Sequence, residues 1–298
     1  MTDARSPHVF IILACGVVSF TFAPILVRWA NDAPGLAIAA WRNLIAVALL
    51  SPIAFFRIRD EVRAFEWKDI VLVGCAGLFL GLHFIAWIES LYHTTVASAS
   101  VLVTTSPIFL AALGYFVLKE RLSWKTLAGV GVAVSGAVLI GLGDAGSSAS
   151  AVGHGALWGN SLALSASLLV SVYLLIGRVV RQKVSWLAYV FPLYAVSTAT
   201  TVAAAAGAGT PLLGYDAAFY GLCAAMAVGP QIIGHGAFNY GVQFLPATLV
   251  GMLALLEPVG ASALALLFFA EVPPPLAIAG MLVVLGGVTL VVWSRRDA

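Results

Sequence analysis

A succession of long, unbroken apolar runs constrains this chain more than any other feature. The runs lie at 8–30, 35–56, 69–92, 96–118, 124–143, 155–178, 185–208, 217–242, 246–270 and 275–294. Each is near the ~20 residues that carry an α-helix across ~30 Å of hydrocarbon. In such a medium every backbone polar group must be bonded internally, so only helices and closed barrels cross it. A barrel strand would alternate apolar and polar residues over ~10 positions. These runs are longer and continuous. The expected fold is all-α, with ten transmembrane helices. Charged residues make up 9% of the chain and hydrophobic ones 61%, against roughly 25% charged in a soluble domain. So few charges could not cover a water-facing surface. Cys15, Cys75 and Cys223 all fall in apolar runs, which favours packed thiols over a disulfide framework. The run after Arg5 reaches Trp29, too long for the core of a cleaved leader and long enough to span.

The basic residues test the count. Arg5 precedes the first run. Arg57, Arg59, Arg63 and Lys68 follow the second, and Lys119, Arg121 and Lys125 the fourth. Arg178, Arg181 and Lys183 follow the sixth, and Arg295 and Arg296 the tenth. Of 15 Lys and Arg, only Arg28 and Arg42 stand apart from these sets. With ten spans all the sets fall on one side, which the positive-inside rule makes cytoplasmic. The expected protein is a multi-pass inner-membrane protein with its N- and C-termini inside.

An internal repeat organises the runs. A shift of 151 residues lays Pro107 on Pro258, Glu120 on Glu271, Gly129 on Gly280 and Gly136 on Gly287. Proline and glutamate are scarce here, so their agreement at one shift means more than that of glycine. The expected units are residues 1–144 and 155–298, joined by a small, polar external linker at 145–154. Five spans per unit is an odd number, so the second copy enters the membrane from the opposite side. Inverted repeats of this kind place a transport site near the midplane.

Two motifs carry a family resemblance. Thr105–Ser106–Pro107 is followed by Leu118–Lys119–Glu120–Arg121–Leu122–Ser123, and Leu256–Glu257–Pro258 by Ala270–Glu271. With the Gly-rich span after each copy, the chain resembles the drug/metabolite transporter superfamily. Within it, the ten-helix EamA-type members match best, nearest to the YddG-like amino acid exporters. The resemblance covers nearly the whole length and implies export of aromatic or other neutral amino acids. The family's substrate residues have no sharp motif to transfer.

Polar groups inside the runs are site candidates, because a charge at bilayer depth costs roughly 2.5–3.5 kcal/mol on insertion scales. Glu257 sits mid-run before Pro258 and could bind an ammonium group or a proton. It could equally be an acid hydrogen-bonded between helices. His83 and His235 could meet a carboxylate or titrate, or else bond a backbone carbonyl. The eighth run is interrupted by Gly229–Pro230–Gln231 and continues with Asn239; such interruptions point to transport sites. Pro107 and Pro258 remove backbone donors near the midplane. Thr105, Trp87, Trp158 and Tyr173 complete the candidate binding set. Arg42 and Glu89, at similar outer depths, suggest a pair closing an outer gate.

Other classes fit less well. No GxxxxGK[ST] occurs, which argues against ATP-driven pumping by this chain. The five His and three Cys show no metal-ligand spacing, and no cofactor or nucleic-acid partner is expected. The partners are a small solute and the bilayer, with a monomer the working unit. Gly141–Leu142–Gly143–Asp144 and Tyr215–Asp216 resemble intramembrane aspartyl protease motifs in reversed order, but both aspartates fall at run ends. Within carriers, multidrug, nucleoside and sugar-phosphate substrates are the rivals. A phosphate would want several cations at midplane depth.

Overall fold

The computed structural model describes residues 7–94, 96–120, 122–147, 156–270 and 272–294. Arg5, Arg121, Glu271, Arg295, Arg296 and residues 148–154 of the expected linker lie outside the described residues. In chain order the helices are α1 (Pro7–Thr21), α2 (Ala23–Trp29), α3 (Gly35–Arg57), α4 (Arg59–Arg63), α5 (Trp67–His93), α6 (Val96–Val103), α7 (Ser106–Leu118) and α8 (Trp124–Ser147). The second half comprises α9 (Ala156–Val180), α10 (Trp186–Gly207), α11 (Ala217–Met226), a π-helical segment (Ala227–His235), α12 (Gly236–Gly241), α13 (Ala247–Ala254), α14 (Glu257–Phe269) and α15 (Pro275–Ser294).

Eight continuous or broken rods among the described residues are long and apolar enough to cross a membrane, and two shorter apolar helices cover 124–140 and 275–291. Their outer faces carry exposed apolar side chains such as Phe56, Leu157 and Leu267, as a lipid-facing surface requires. Local chemistry starts several of them. Glu66 and Asp69 close a capping box on α5, and Ser185 caps α10 by accepting from the Ala188 N–H. Asp216 caps α11, accepting from Phe219 N at 2.8 Å. That aspartate therefore belongs to a helix start rather than to a protease dyad. Helix α8 runs on through Ala145–Gly146–Ser147, with no proline or left-handed residue at 144 to stop it.

The repeat is visible in the element boundaries themselves. Adding 151 turns α6 (96–103) into α13 (247–254) and α7 (106–118) into α14 (257–269), and it carries the start of α8 at 124 to the start of α15 at 275. It also carries Lys119 to Ala270. These two residues end α7 and α14 in the same left-handed conformation, with φ of 58° and 54°. No glycine marks either turn, which is why the terminators are silent in a search for Gly caps.

The two copies meet along α8 and α15. A Cβ on Gly129 would lie 2.2 Å from Val291 Cγ2, and one on Gly136 would lie 2.6 Å from the Val284 N. Gly287 faces Ala133, and Gly280 faces Gly136 and Ile140. The lower-numbered glycine of one helix thus meets the higher-numbered end of the other, so the helices run antiparallel. Small residues let the backbones touch, as expected where lipid supplies no hydrophobic drive between helices. Around the middle, α5 packs on α9 and α10, α10 on α3, and α1 on the π-helical segment and α12.

Candidate functional site

Four of the rods are interrupted, the eighth as its Gly–Pro pair led one to expect, and residues flanking each break line one cavity. Pro107 and Pro258 sit in the first turns of α7 and α14, where a missing N–H costs the new helix nothing. The residues four places upstream, Val103 and Ala254, lose the donor an unbroken helix would give them. Both line the cavity, as do Ser106 and Glu257, which the 151-residue shift superposes. In the eighth rod the Gly229–Pro230 pair falls inside the π-helical segment, whose wider turn absorbs the absent proline donor. Pro230 and His235 reach the same cavity wall. The cavity and its mouth together hold about 600 Å³ of space not filled by atoms.

Its wall is aromatic and nearly dry. His235 Nδ1 lies 2.8 Å from the Tyr173 hydroxyl, and the His235 ring stands edge-on to Phe20 at 4.9 Å and Phe84 at 5.1 Å. His83, 5.8 Å away ring to ring, donates from Nδ1 to the Ala166 carbonyl at 2.9 Å, which leaves Nε2 without the proton in a neutral ring. Trp87, Tyr173 and Glu257 are buried and share this wall.

Other expected residues stand elsewhere. Trp158 is 59% exposed and points away from the cavity. Thr105 is turned from it, bonding Leu102 O at 2.6 Å and Ser167 Oγ at 3.1 Å. Gln231 lies behind the wall, and Asn239 is buried with both side-chain polar atoms unpartnered. The expected Arg42–Glu89 gate pair does not form. Arg42 lies on the cavity wall, 1% exposed, and no ion pair to it occurs among the described residues. Glu89 instead packs its Oε1 against Gly35 at the start of α3, with a backbone hydrogen bond from Leu36. Carboxylates favour that end of a helix because unpaired N–H groups point there. Depth along a run told how far each residue sits from the surface but not which neighbour it faces.

Each half of the chain separately matches the family model described as the EamA-like transporter family, over residues 8–142 and 157–293. The chain belongs to the EamA-like transporter family. Its members are transporters, so this is a multi-pass membrane transporter and not an enzyme. A probable terminal-alkyne amino-acid exporter of Streptantibioticus cattleyicolor is 31% identical over 256 residues, 79% of this chain and 78% of the relative. The uncharacterized transporter YdfC of Bacillus subtilis is 26% identical over 275 residues, covering 87% and 86% of the two chains. A solved crystal structure, 17% identical, superposes with a TM-score of 0.76 over 98% of this chain and 99% of the other, a likeness of fold alone.

The two ends of this EamA-type bundle are sealed differently. At one end Arg178 donates to the Val242 and Gln243 carbonyls, each at 3.0 Å, and lies 3.5 Å from Glu120. Arg181 donates to Asn239 O at 3.1 Å, to Gln243 Oε1 at 2.6 Å and to Val184 O. Burial pulls its guanidinium down to about 10, still a cation at neutral pH. Ser185 bonds Glu61, and Lys183 pairs with Asp69 at 3.7 Å. The other end of α5 has lighter ties. Tyr92 donates to Ala33 O at 2.6 Å and Thr94 to Asn160 Oδ1 at 2.7 Å, beside a second hollow lined by Pro24, Arg28, Asn31 and Tyr92. In the sequence Arg178 and Arg181 counted only as topology markers. Nothing there showed that α9 and the segment after α12 would meet.

Proposed function

We propose that this protein is a secondary exporter of amino acids, aromatic or otherwise neutral, or of closely related metabolites. It would work by alternating access across a bacterial inner membrane. The observation that carries this reading is the cavity where both copies of the repeat break their helices. A site at the junction of inverted repeats, built from discontinuous helices, is what alternating access requires. The exporter relative supports an amino acid as cargo, and Glu257, the acid in the cavity lining among the described residues, offers an ammonium group a partner. The aromatic wall suits an apolar side chain.

On this reading the chain has ten spans in two inverted units with both termini cytoplasmic, and the Arg178 end faces the cytoplasm. The test is counterflow in proteoliposomes with the twenty common labelled L-amino acids, with and without a pH gradient. Saturable movement of at least one is expected. If none moves while a nucleoside, a sugar phosphate or a cationic dye does, the amino-acid reading falls and that solute replaces it.

A further inference from the structure

Two residues lining the cavity each carry a buried hydrogen-bond donor with no acceptor among the described residues. Arg42 is held from behind. Its Nε donates to Gln231 Oε1 at 3.1 Å, and its guanidinium carbon lies 4.1 Å over the Phe84 ring. Gln231 cannot turn away, because its Nε2 donates to Asn43 Oδ1 at 2.9 Å. Asn43 is fixed in turn by the Ala39 carbonyl at 2.8 Å and the Ser197 hydroxyl at 2.9 Å. This amide relay uses up its own polar atoms and leaves Arg42 Nη2 buried with no partner. Trp87 Nε1, on the same wall, is also buried and unpartnered.

A guanidinium keeps its proton in proteins. A fixed cation therefore sits at bilayer depth beside a neutral amide and a ring face. Leaving a buried charge uncompensated costs several kcal/mol. The buried indole donor of Trp87, in the same cavity lining, lacks an acceptor among the described residues as well. One small anion would satisfy both groups. The planar fork of Arg matches a carboxylate or a phosphate, and Glu257 decides between them. It lines the same cavity, and its carboxyl has no charged or hydrogen-bonding partner among the described residues; an ammonium brought beside it would favour its ionised form, whereas a doubly charged phosphate would not. A molecule carrying one carboxylate and one ammonium satisfies the whole wall.

We infer that Arg42 Nη2 and Trp87 Nε1 form the receptor for the α-carboxylate of a zwitterionic amino acid, whose ammonium goes to Glu257. This assignment rests on the amino-acid reading above and names the groups that select its substrate.

The test begins with the wild-type protein. For each amino acid that moves in the counterflow panel, its α-amide and its N-acetyl derivative are added as unlabelled competitors. The free acid should compete roughly tenfold to a hundredfold better than the amide, as loss of a hydrogen bond to a charged group implies. R42Q should abolish that preference, and W87F, which keeps an aromatic face, should weaken it. Size-exclusion profiles and melting temperatures of both variants show whether they fold. An amide that competes as well as the acid against the wild type overturns the assignment while leaving amino-acid transport intact. A panel in which no amino acid moves overturns the transport reading instead. If R42Q does not fold, the wild-type competition and W87F still decide.

Discussion

The Tyr173–His235 contact shows how much one atom can hold in this cavity. Both groups are buried, and their 2.8 Å bond is the sole hydrogen bond found for either side chain among the described residues. Tyr173→Phe leaves His235 Nδ1 unpaired in a dry wall, a loss of about 1–3 kcal/mol. A lower melting temperature and weaker counterflow are expected, and both are read on the same preparation. Glu257→Gln keeps the shape but removes the carboxyl that an ammonium could ionise and pair with. It should lower transport of zwitterions at least tenfold while the protein stays monodisperse. Unchanged uptake would remove Glu257 from the site. At this scale the sequence was informative where a residue is rare. Glu257 and His83 stand out because a charge or an imidazole in an apolar run is unusual. Arg42 stood out too, but its true companion, Gln231, lies 189 positions away, and one-dimensional depth paired it with Glu89 instead.

The interruptions of the helices matter more than the helices themselves. The π-helical turn at Ala227–His235 aims His235 at Tyr173, and Pro230 sits inside it. Pro230→Ala restores a backbone donor and lets the segment tighten towards an α-helix. His235 should rotate off Tyr173, and transport should fall several-fold with little loss of thermal stability. A variant with full activity would show that the wide turn is incidental. The ends of α7 and α14 give a prediction of opposite sign. Ala270 holds a positive φ without the freedom of glycine, so Ala270→Gly should stabilise the protein by up to about 1 kcal/mol, seen as a higher melting temperature. The Pro and Gly–Pro signals were readable in the sequence. The left-handed caps were not, because Lys119 and Ala270 are ordinary helix formers that only the turn into the next rod forces over.

For the molecule as a whole, run lengths and the 151-residue shift were enough to expect the helix order and the two copies, since both depend on patterns that the bilayer and gene duplication impose on every residue. The cavity depended on something else: which faces of α3, α5, α9 and the π-helical segment converge, a property of packing that no run records. Packing also sets the weakest point. Gly136 lies against the Val284 backbone, which cannot swing aside. Gly136→Leu should therefore push α8 from α15, cost at least the roughly 1–3 kcal/mol usual for overpacking, and lower the melting temperature by several degrees.

That seam has a further property. Gly129 meets the partner of Gly136, and Gly136 meets the partner of Gly129, so each half of the polypeptide presents one shared fitting whose shape complements its own copy. Severed between the halves and produced together from two genes, the fragments carry what they need to recognise each other and rebuild the carrier. Recovery of transport from such a split pair would mean that the covalent join is a convenience of synthesis and not a requirement of the machine.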